Sequence, residues 1–362
     1  MSKKKRVLLG MSGGVDSSVA AILLQKEGYE VIGATFRSWD AISDTCMDNK
    51  KGCCSIESMM EAKNLADKLG IEHHFLDYRN LFKNTVIKNF VDEYLHGRTP
   101  NPCAVCNRII KWGEMIQVAE KLNCDLLATG HYANLEYQNN RFFISKGSDI
   151  SKDQSYFLWQ LGQRALSKTI FPLGKFNKSE IRNIAKQYGF DKLAHKNDSQ
   201  ELCFVPNNDY RKFLKENEPS IAHIGNGDFV SVDGKYLGKH AGYYHFTIGQ
   251  RKGLGIALGY PAFVVKIDAK NNIVTLGRKN DLLQSKCTLS NWNLMKYDKW
   301  KERKTLETKI RYRSKPIKSY VYFVNEKIKI IFDEPTYAIT PGQNAVFYEG
   351  QTVVGGGIID NE

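Results

Sequence analysis

The stretch that decides the fold runs from Arg6 to Ser17 and reads Arg-Val-Leu-Leu-Gly-Met-Ser-Gly-Gly-Val-Asp-Ser. The apolar run Arg6 to Met11 predicts a buried strand, and Ser17 to Glu27 has the pattern of a helix that Gly28 ends. Between them, the two glycines let backbone N–H groups converge at a helix N-terminus, where negative charge is favoured. The stretch therefore predicts a strand, a phosphate-binding loop and a helix.

The kind of phosphate site follows from the residues that this loop lacks. It has no Gly-Lys-Ser/Thr ending, so it does not reach for a γ-phosphate, and it has no GxGxxG pattern of a dinucleotide fold. A binding site for pyrophosphate fits this loop better than either of these. A Gly-Gly turn that merely opens a helix is the structural alternative for the glycine pair taken alone.

Apolar runs and amphipathic stretches alternate through the rest of the first half. Further strands are predicted at Val31–Phe36, Glu72–Asp77 and Asp125–Thr129, with helices at Ser55–Leu69 and Arg108–Leu122. This alternation is typical of an α/β doubly wound parallel sheet.

The second half changes character in two steps. From about Asp149 to Phe213 the chain is polar and helical in pattern, and Asn177 followed by Glu180 predicts a helix start in this linker region, which we expect to complete the active site. After about Ile221, glycines separate short alternating runs that predict β structure. We therefore predict a catalytic domain at 1–206, a small central β domain at 207–276 and a C-terminal β-barrel domain at 277–362.

Composition narrows the class of protein. The chain has 362 residues, 42% of them hydrophobic, and a formal net charge of +13, so a polyanionic partner is expected, with a generically basic enzyme as the alternative. No apolar run approaches the roughly 20 residues of a membrane span, and the basic start leads into a short apolar run that ends in glycines. A cytosolic location is predicted.

Eight cysteines are spread along the chain, a usage that does not predict a secreted disulfide framework. Cys103 and Cys106 form a Cys-x-x-Cys pair, which is half of a zinc site, but no second pair follows at ligand spacing. Cys46, Cys53 and Cys54 lie in a polar, glycine-flanked stretch and are interpreted as structural or incidental.

Besides the phosphate loop, seven motifs follow one another along the chain: Arg98–Asn107, Ala128–Tyr132, Lys152–Phe157, Asp198–Phe204, Phe246–Ile256, Lys309–Arg313 and Pro341–Tyr348. Together they resemble one family, the bacterial tRNA-specific 2-thiouridylases of the ATP pyrophosphatase superfamily. The resemblance runs from Arg6 nearly to the last residue. It implies an adenine nucleotide α-hydrolase-like fold and ATP-dependent thiolation of C2 of the wobble uridine of tRNA.

The resemblance also implies an ATP site with magnesium. The positions that match are Gly10, Met11, Ser12, Gly13, Gly14, Val15, Asp16, Ser17, Phe36 and Gly130. Asp16 would help to hold Mg²⁺ on the pyrophosphate. Gly130 follows the end of a predicted strand, where ligands of open α/β sheets bind, and Phe36 would pack on adenine.

Exchange of oxygen for sulfur requires an activated carbonyl and a sulfur nucleophile, which a cysteine persulfide supplies. The resemblance implies that Cys106 is the nucleophile, that Cys203 carries the persulfide, and that the two end as a disulfide. It places the flipped-out target base against Asn101, Pro102 and Cys103. Some family members carry Asp at the position of Cys103.

Three alternatives stay open at this point. Cys103, Cys106 and Cys203 could instead hold an iron–sulfur cluster with one open iron. A non-catalytic RNA-binding relative would need no Asp16, Cys106 and Cys203 together. An adenylating enzyme that uses ammonia would need no paired cysteines.

Residues 286–318 hold eleven Lys or Arg against three Asp or Glu, interleaved with aromatic residues, a mixture that suits RNA. A solvated basic face is the alternative. The resemblance assigns tRNA contacts to Lys152, Asp153, Gln154, Arg311 and Tyr312. The expected partners are tRNA with a wobble uridine and a persulfide donor protein, either a cysteine desulfurase or a relay protein.

Overall fold

The computed structural model describes residues 4–39, 56–196 and 202–361. Within these ranges the chain divides into two units. The first holds the residues up to 86 together with 103–208 and 351–353, and the second holds 87–102, 209–350 and the residues from 354 onward. The predictions for Cys46, Cys53 and Cys54, and for Asp198–Glu201 of one motif, lie outside the described residues.

A five-stranded parallel sheet forms the centre of the first unit, in the order β3-β2-β1-β4-β7. The strands of this unit are β1 Arg6–Gly10, β2 Glu30–Arg37, β3 Glu72–Asp77, β4 Leu126–Thr129, β5 Ala133–Gln138, β6 Arg141–Lys146 and β7 Thr169–Ile170. The strand order reverses between β1 and β4, and ligands of such sheets bind at the carboxyl ends on either side of that point. The predicted doubly wound sheet is confirmed.

Helices connect the parallel strands. In chain order the helices are α1 Val15–Lys26, α2 Ile56–Lys68, α3 Arg79–Phe82, α4 Lys88–Leu95, α5 Pro102–Cys106, α6 Met115–Lys121, α7 Gln163–Ser167, α8 Lys178–Gln187, α9 Asp191–Ala194 and α10 Tyr210–Asn217. The segments Lys83–Ile87 and Asn107–Glu114 are π-helical, and 3₁₀ turns lie at Ser155–Phe157, Pro206–Asn208, Pro219–His223, Tyr243–His245 and Lys279–Leu282. Strand β1 is buried on both faces, and α1 is buried along most of its length.

Three local features of this unit bear on the predictions. The capping box at α8 is present as predicted: the Asn177 side chain accepts from the Glu180 N–H at 3.0 Å, and Glu180 Oε2 accepts from the Asn177 N–H at 2.7 Å. The hairpin of β5 and β6 was not predicted. The helix predicted from Arg108 begins instead at Pro102, a residue whose fixed φ and missing N–H suit a helix start.

The second unit contains two β structures. The central one has strands β8 Gly227–Ser231, β9 Tyr236–His240, β10 Phe263–Asp268 and β11 Ile273–Gly277 in the order β10-β11-β8-β9. The other has β12 Leu283–Leu294, β13 Lys304–Lys309, β14 Ile317–Val324, β15 Lys327–Tyr337, β16 Asn344–Glu349 and β17 Thr352–Ile359. Pairing of β12 with β17 closes these last six strands into a barrel, so the predicted C-terminal β-barrel is confirmed.

Alternation of side chains explains the barrel. Along β14 and β15, Val321, Ile328 and Ile330 point inward and are fully buried, while the lysines between them face out.

Residues 351–353 belong to the first unit, where Thr352 pairs with Ser145 of β6. Within the described ranges, no helix is long and apolar enough to cross a membrane.

Candidate active site

The loop between β1 and α1 has the backbone geometry that the sequence predicted. Gly13 has a φ of +70°, and a Cβ at this position would lie 2.3 Å from the Ser58 carbonyl oxygen, so only glycine fits. Gly14 is the extended N-cap of α1, and among the described residues no side chain caps that helix start. Uncapped N–H groups at a buried helix start are a phosphate-binding arrangement.

Two serine hydroxyls fix the shape of this loop. Ser17 Oγ donates to the Gly14 carbonyl at 3.1 Å and accepts from the Ser12 N–H at 3.2 Å. Ser12 itself is exposed and its Oγ lies 3.4 Å from that of Ser17. The loop is therefore held from within, and its outer side faces solvent.

Asp16 lies at the centre of a polar cluster on the first turn of α1. Lys178 Nζ donates to both carboxylate oxygens, at 2.7 and 2.8 Å, and the Tyr132 hydroxyl donates to Oδ1 at 2.7 Å. The Lys178 side chain is only 10% exposed, and its ammonium also lies 5.7 Å from the centre of the Tyr132 ring. This lysine therefore brings a fixed positive charge to the phosphate loop.

The remaining residues predicted for ATP lie at the carboxyl ends of neighbouring strands. Gly130 follows β4, and a Cβ added there would lie 2.9 Å from the Ser17 nitrogen, so this glycine allows the β4 turn to contact the loop. Phe36 lies near the end of β2, half-buried, with its ring 6.4 Å from that of Tyr78. Gly10, Met11 and Val15 complete the connection from strand to helix.

Cys103 and Cys106 lie on one helical stretch that starts at Pro102. Cys103 occupies its first turn, where the helix dipole favours a thiolate most, whereas Cys106 lies at the end of α5. Cys103 retains a solvent-exposed surface although its surroundings are crowded. Desolvation raises the pKa of its thiol, and the positive charge of Lys111 acts in the opposite direction.

The π-helical segment that follows Cys106 ties it to the rest of the first unit. The buried Asn107 side chain donates from Nδ2 to the Phe157 carbonyl at 3.0 Å, and Trp112 Nε1 donates to Thr169 Oγ1 at 2.7 Å. The Trp112 ring lies 5.5 Å from that of His131, whose pKa is held well below its usual value by burial and by Lys111. Such π-helical turns are rare and occur often at functional sites.

Cys203 is exposed, and its neighbours fix the chain beside it. Phe204 and Val205 are buried, and the Phe204 ring meets Phe82 edge to face with 5.6 Å between centres. Cys106 and Cys203 belong to the same unit and both lie in described ranges. The structure does not show the disulfide predicted between them.

The segment predicted to hold the target base is divided between the units: Asn101 and Pro102 belong to the second and Cys103 to the first. In the second unit, Gln343 Nε2 donates to the carbonyls of Thr99 at 3.1 Å and Pro100 at 2.8 Å. Asn101 thus follows a backbone that the Pro341–Tyr348 motif holds in place.

The tripeptide 152–154, predicted to contact tRNA, has mixed surroundings. Asp153 is buried and its carboxylate accepts from the Gly147 N–H and from the N–H and hydroxyl of Ser155. Gln154 Oε1 accepts from the Tyr132 N–H at 3.1 Å. Asp153 and Gln154 therefore hold the backbone of this turn in place, and Lys152 adds a positive charge to the turn.

Comparison with known proteins decides the family. Three family models match: a "tRNA methyl transferase HUP domain" over residues 5–207, a "tRNA methyl transferase PRC-barrel domain" over 211–278 and an "aminomethyltransferase beta-barrel domain" over 284–359. The tRNA-specific 2-thiouridylase MnmA of Cytophaga hutchinsonii is 49% identical over 99% of this chain and 98% of its own length. That of Amoebophilus asiaticus is 47% identical over 99% and 96%.

The chain belongs to the tRNA-specific 2-thiouridylase family. The resemblance found in the sequence is confirmed. Among solved structures, a 4-thiouridine synthetase–RNA complex with bound ATP aligns with a TM-score of 0.38 at 17% identity, covering 60% of this chain and 51% of that one.

Three residues beside the phosphate loop of this thiouridylase family member were not among the site residues predicted from the sequence. Lys178 and Tyr132 contact Asp16 from 162 and 116 residues away along the chain. Lys196 Nζ lies 3.5 Å from the Gly13 carbonyl and pairs with Glu61 at 2.5 Å. The one available signal was the position of Lys178 directly after the capping residue Asn177, on the first turn of α8.

Arg311 and Tyr312, predicted to contact tRNA, lie half-buried after β13. Arg311 Nη2 donates to the carbonyls of Ile248 at 3.1 Å and Ala338 at 3.2 Å, and to Thr340 Oγ1 at 2.6 Å. The arginine therefore joins three segments of the second unit. The Lys309 ammonium lies 5.6 Å from the centre of the Tyr312 ring.

We expect Arg311→Ala to weaken tRNA binding and to lower the slope of log Kd against log salt by about 0.7 to 0.9, because one phosphate contact is lost. It should also lower the melting temperature, because three hydrogen bonds to two other segments of the chain are lost. Arg313→Ala, which removes the same charge from an exposed neighbour, is the control and should leave the melting temperature unchanged. An unchanged slope for Arg311→Ala would place the RNA surface elsewhere.

Proposed function

We propose that this protein is a tRNA-uridine 2-sulfurtransferase that thiolates C2 of the wobble uridine, U34, and releases AMP and pyrophosphate. The proposal is carried by the full-length similarity to tRNA-specific 2-thiouridylases on a chain that has a phosphate loop and two cysteines, Cys106 and Cys203, in one unit. A non-catalytic RNA-binding relative is not favoured, because it would not need these groups together.

The loop residues 10–17 fit the phosphates of ATP. Gly13 and Gly14 leave backbone N–H groups uncovered at the start of α1, and Lys178 supplies positive charge where pyrophosphate leaves. Phe36 and Gly130 flank the loop at the ends of β2 and β4. These features support the assignment of the ATP site.

Asp16 suits magnesium, because Mg²⁺ on a nucleotide commonly takes one or two protein carboxylates together with phosphate oxygens. When bound, the ion would neutralise charge on the leaving pyrophosphate. The protein's part is to orient the Asp16 carboxylate, which the Tyr132 hydroxyl and the Lys178 ammonium hold from two sides.

Sulfur transfer then follows from the two cysteines. The terminal sulfur of a Cys203 persulfide attacks C2 of the adenylated uridine, and the C2–O bond breaks as AMP leaves. The Cys106 thiolate attacks the Cys203 sulfur, so the S–S bond breaks and its electron pair stays on the sulfur now bonded to C2. The two thiols are oxidised to a disulfide while the transferred sulfur is reduced, and an external thiol must restore them.

Two partners are required. One is tRNA, for which we assign binding mainly to the predicted domain 277–362, with Arg311 and Tyr312, together with Lys152, Asp153 and Gln154. The other is a persulfide donor protein, either a cysteine desulfurase or a relay protein, since nothing in the proposed reaction generates sulfane sulfur. We place this reaction in the cytosol.

An iron–sulfur cluster does not fit the described residues. Cys103, Cys106 and Cys203 all lie within them, and no three His, Cys, Asp or Glu side chains there come together in a way that could hold a metal ion. We therefore derive no step through iron.

The test of the function uses the protein, ATP, Mg²⁺, an unmodified tRNA transcript with a wobble uridine and a persulfide donor labelled with radioactive sulfur. Thiolation should place one labelled sulfur on U34 and release one AMP per sulfur. Incorporation of ammonia would favour an adenylating enzyme that uses ammonia. Binding of tRNA without AMP formation would favour a non-catalytic RNA-binding relative.

Cys103→Asp tests the choice between persulfide relay and iron. In the relay Cys103 only shapes the base pocket, so we expect Cys103→Asp to keep thiolation within about tenfold of wild type, aerobically and after chelator treatment. A cluster would lose a thiolate ligand that carboxylate replaces poorly. Cys103→Leu is the companion variant that removes polarity at this position. Activity that returns only when iron is added would contradict the relay.

A further inference from the structure

A glycine-rich loop of the second unit lines an open concavity of about 470 Å³. Most of its lining is exposed, and the lining includes no acidic side chain. The lining residues are Arg251, Gly253, Leu254, Gly255, Ile256, Ala257, Tyr260, Pro261 and Ala262. Five of these nine residues, from Arg251 to Ile256, belong to the motif Phe246–Ile256, for which the proposed reaction gives no role.

The two ends of this loop are held firmly. The Gly249 N–H donates to the Val264 carbonyl at 2.8 Å, and the Val264 N–H donates to the Gln250 carbonyl at 2.9 Å. Gln250 Nε2 also donates to the Lys252 carbonyl at 3.0 Å, and Arg311 binds the Ile248 carbonyl. Both ends of the loop that lines the concavity are therefore tied to β10 and to Arg311.

The tip of the loop leaves its backbone open. Gly253, Gly255 and Gly259 have φ values of +73°, +70° and +73°, which L side chains rarely adopt. At Gly255 and Gly259 no atom lies within 4 Å of the position a Cβ would take. A ligand can therefore approach the main chain closely at these two glycines.

An aromatic ring and an arginine meet at the rim. Strands β10 and β11 pair Phe263 with Gly277, so the residues before β10 and after β11 lie at the same end of the hairpin. There the Arg278 guanidinium lies 4.8 Å from the centre of the Tyr260 ring. Stacked arginine and tyrosine are groups on which proteins place unpaired bases.

Positive charge surrounds the same rim. Arg251 and Lys252 are exposed on the loop, and Arg278 and Lys279 follow β11. The nearby Asp281 carboxylate accepts from the Arg278 N–H at 2.6 Å, so it caps the backbone of that turn. The balance of charge favours an anionic ligand.

We propose that this concavity binds one nucleotide of the tRNA substrate other than the target uridine. Its phosphate would contact Arg251 and Arg278 and the open glycine backbone, and its base would lie against Tyr260. An open, basic recess with one aromatic side suits a nucleotide of a larger RNA better than a free small molecule, which needs enclosure. This inference rests on the proposed function, because it assumes a tRNA substrate.

The experiment measures Kd for an unmodified tRNA transcript at several salt concentrations, and KM for the same tRNA in thiolation. We expect Tyr260→Ala to weaken binding about tenfold with little change in the salt slope, because stacking is lost. Arg251→Gln and Arg278→Gln should each lower the slope by about 0.7 to 0.9. KM should rise in parallel with Kd, and melting temperatures identify any variant that fails to fold.

Lys270→Gln is the matched control. Lys270 is an exposed lysine of the turn between β10 and β11, at the opposite end of the hairpin from Tyr260, and its loss should leave Kd unchanged. Wild-type Kd and slope in folded Tyr260→Ala and Arg251→Gln would overturn the inference. Normal tRNA binding with impaired sulfur uptake from the donor protein would also overturn it, in favour of a protein ligand. Failure of the wild-type protein to thiolate tRNA would instead refute the proposed function.

Discussion

Asp16→Ala should reduce formation of AMP and pyrophosphate at least about 100-fold while leaving tRNA binding close to wild type. The substitution removes the carboxylate proposed to act on Mg²⁺-pyrophosphate, and loss of one preorganised electrostatic group at a reacting centre commonly has an effect of this size. The measurement is pyrophosphate release with saturating ATP, Mg²⁺ and tRNA. The tRNA contacts assigned above involve other residues, so their affinity provides the internal reference.

The ion pair with Lys178 complicates this variant and also supplies its control. Removing one partner of a buried pair costs about 3–5 kcal/mol, and the one-third exposure of the Asp16 side chain reduces this figure. Asp16→Ala should therefore melt at a lower temperature, because it leaves the nearly buried Lys178 ammonium without its carboxylate. Adding Lys178→Met should restore part of the melting temperature.

The same double variant separates stability from chemistry. If Asp16 acts on the leaving pyrophosphate, the double variant stays inactive although its stability recovers. Asp16→Asn, which keeps a side chain of similar shape that can still accept from the Tyr132 hydroxyl, should also stay inactive. Pyrophosphate release at the wild-type rate in any of these variants would refute the role of Asp16.

Local patterns predicted the frame of this site well. The strand, loop and helix around residues 6–27 follow from an apolar run, two glycines and a helical pattern, all of which act between near neighbours in the chain. Strands of the barrel follow from alternation because one face of each strand must be buried. The capping box at Asn177 was predicted because its partner lies only three residues away.

Contacts between distant parts of the chain could not be predicted in this way. Nothing local to Lys178 or Tyr132 indicates that both contact Asp16, because the contact depends on how α8 and the β4 turn pack beside α1. The surroundings of Asp153 could not be predicted locally either: its carboxylate is buried and accepts hydrogen bonds from the N–H and hydroxyl of Ser155. The sequence does not show whether a carboxylate faces solvent or its own backbone, and the tRNA contact that the resemblance assigns to Asp153 stays a prediction.

The start of the cysteine helix shows a third limit. Apolar periodicity begins at Arg108, so the sequence predicted a start there, yet Pro102 begins the helix and a π-helical stretch fills Asn107–Glu114. The periodicity of apolar residues shows only which face of a helix is buried. A π-helical stretch has more residues per turn than an α-helix, so it changes which residues lie on that face. With the start at Pro102, Cys103 lies in the first helical turn and Cys106 at the end of α5.

Cys106→Ser and Cys203→Ser should each abolish thiolation, and they should differ in what accumulates. The proposed reaction consumes one electron pair from the two thiols together, so neither can complete a turnover alone. After incubation with the persulfide donor, Cys106→Ser should carry one extra sulfur atom on Cys203, whereas Cys203→Ser should carry none on Cys106. Mass spectrometry of peptides from the loaded protein measures this difference.

A single turnover without external thiol gives a second, independent readout. Wild-type protein should end with Cys106 and Cys203 joined in a disulfide, in amounts equal to the 2-thiouridine formed, and neither serine variant should form it. Cys124→Ser is the matched control: Cys124 precedes β4 at the amino ends of the parallel strands, away from the phosphate loop at their carboxyl ends. Its thiolation rate should match that of wild type. Extra sulfur found on Cys106 and absent from Cys203 would reverse the two roles, because the cysteine that holds the sulfane sulfur must be the one whose S–S bond is broken by the other.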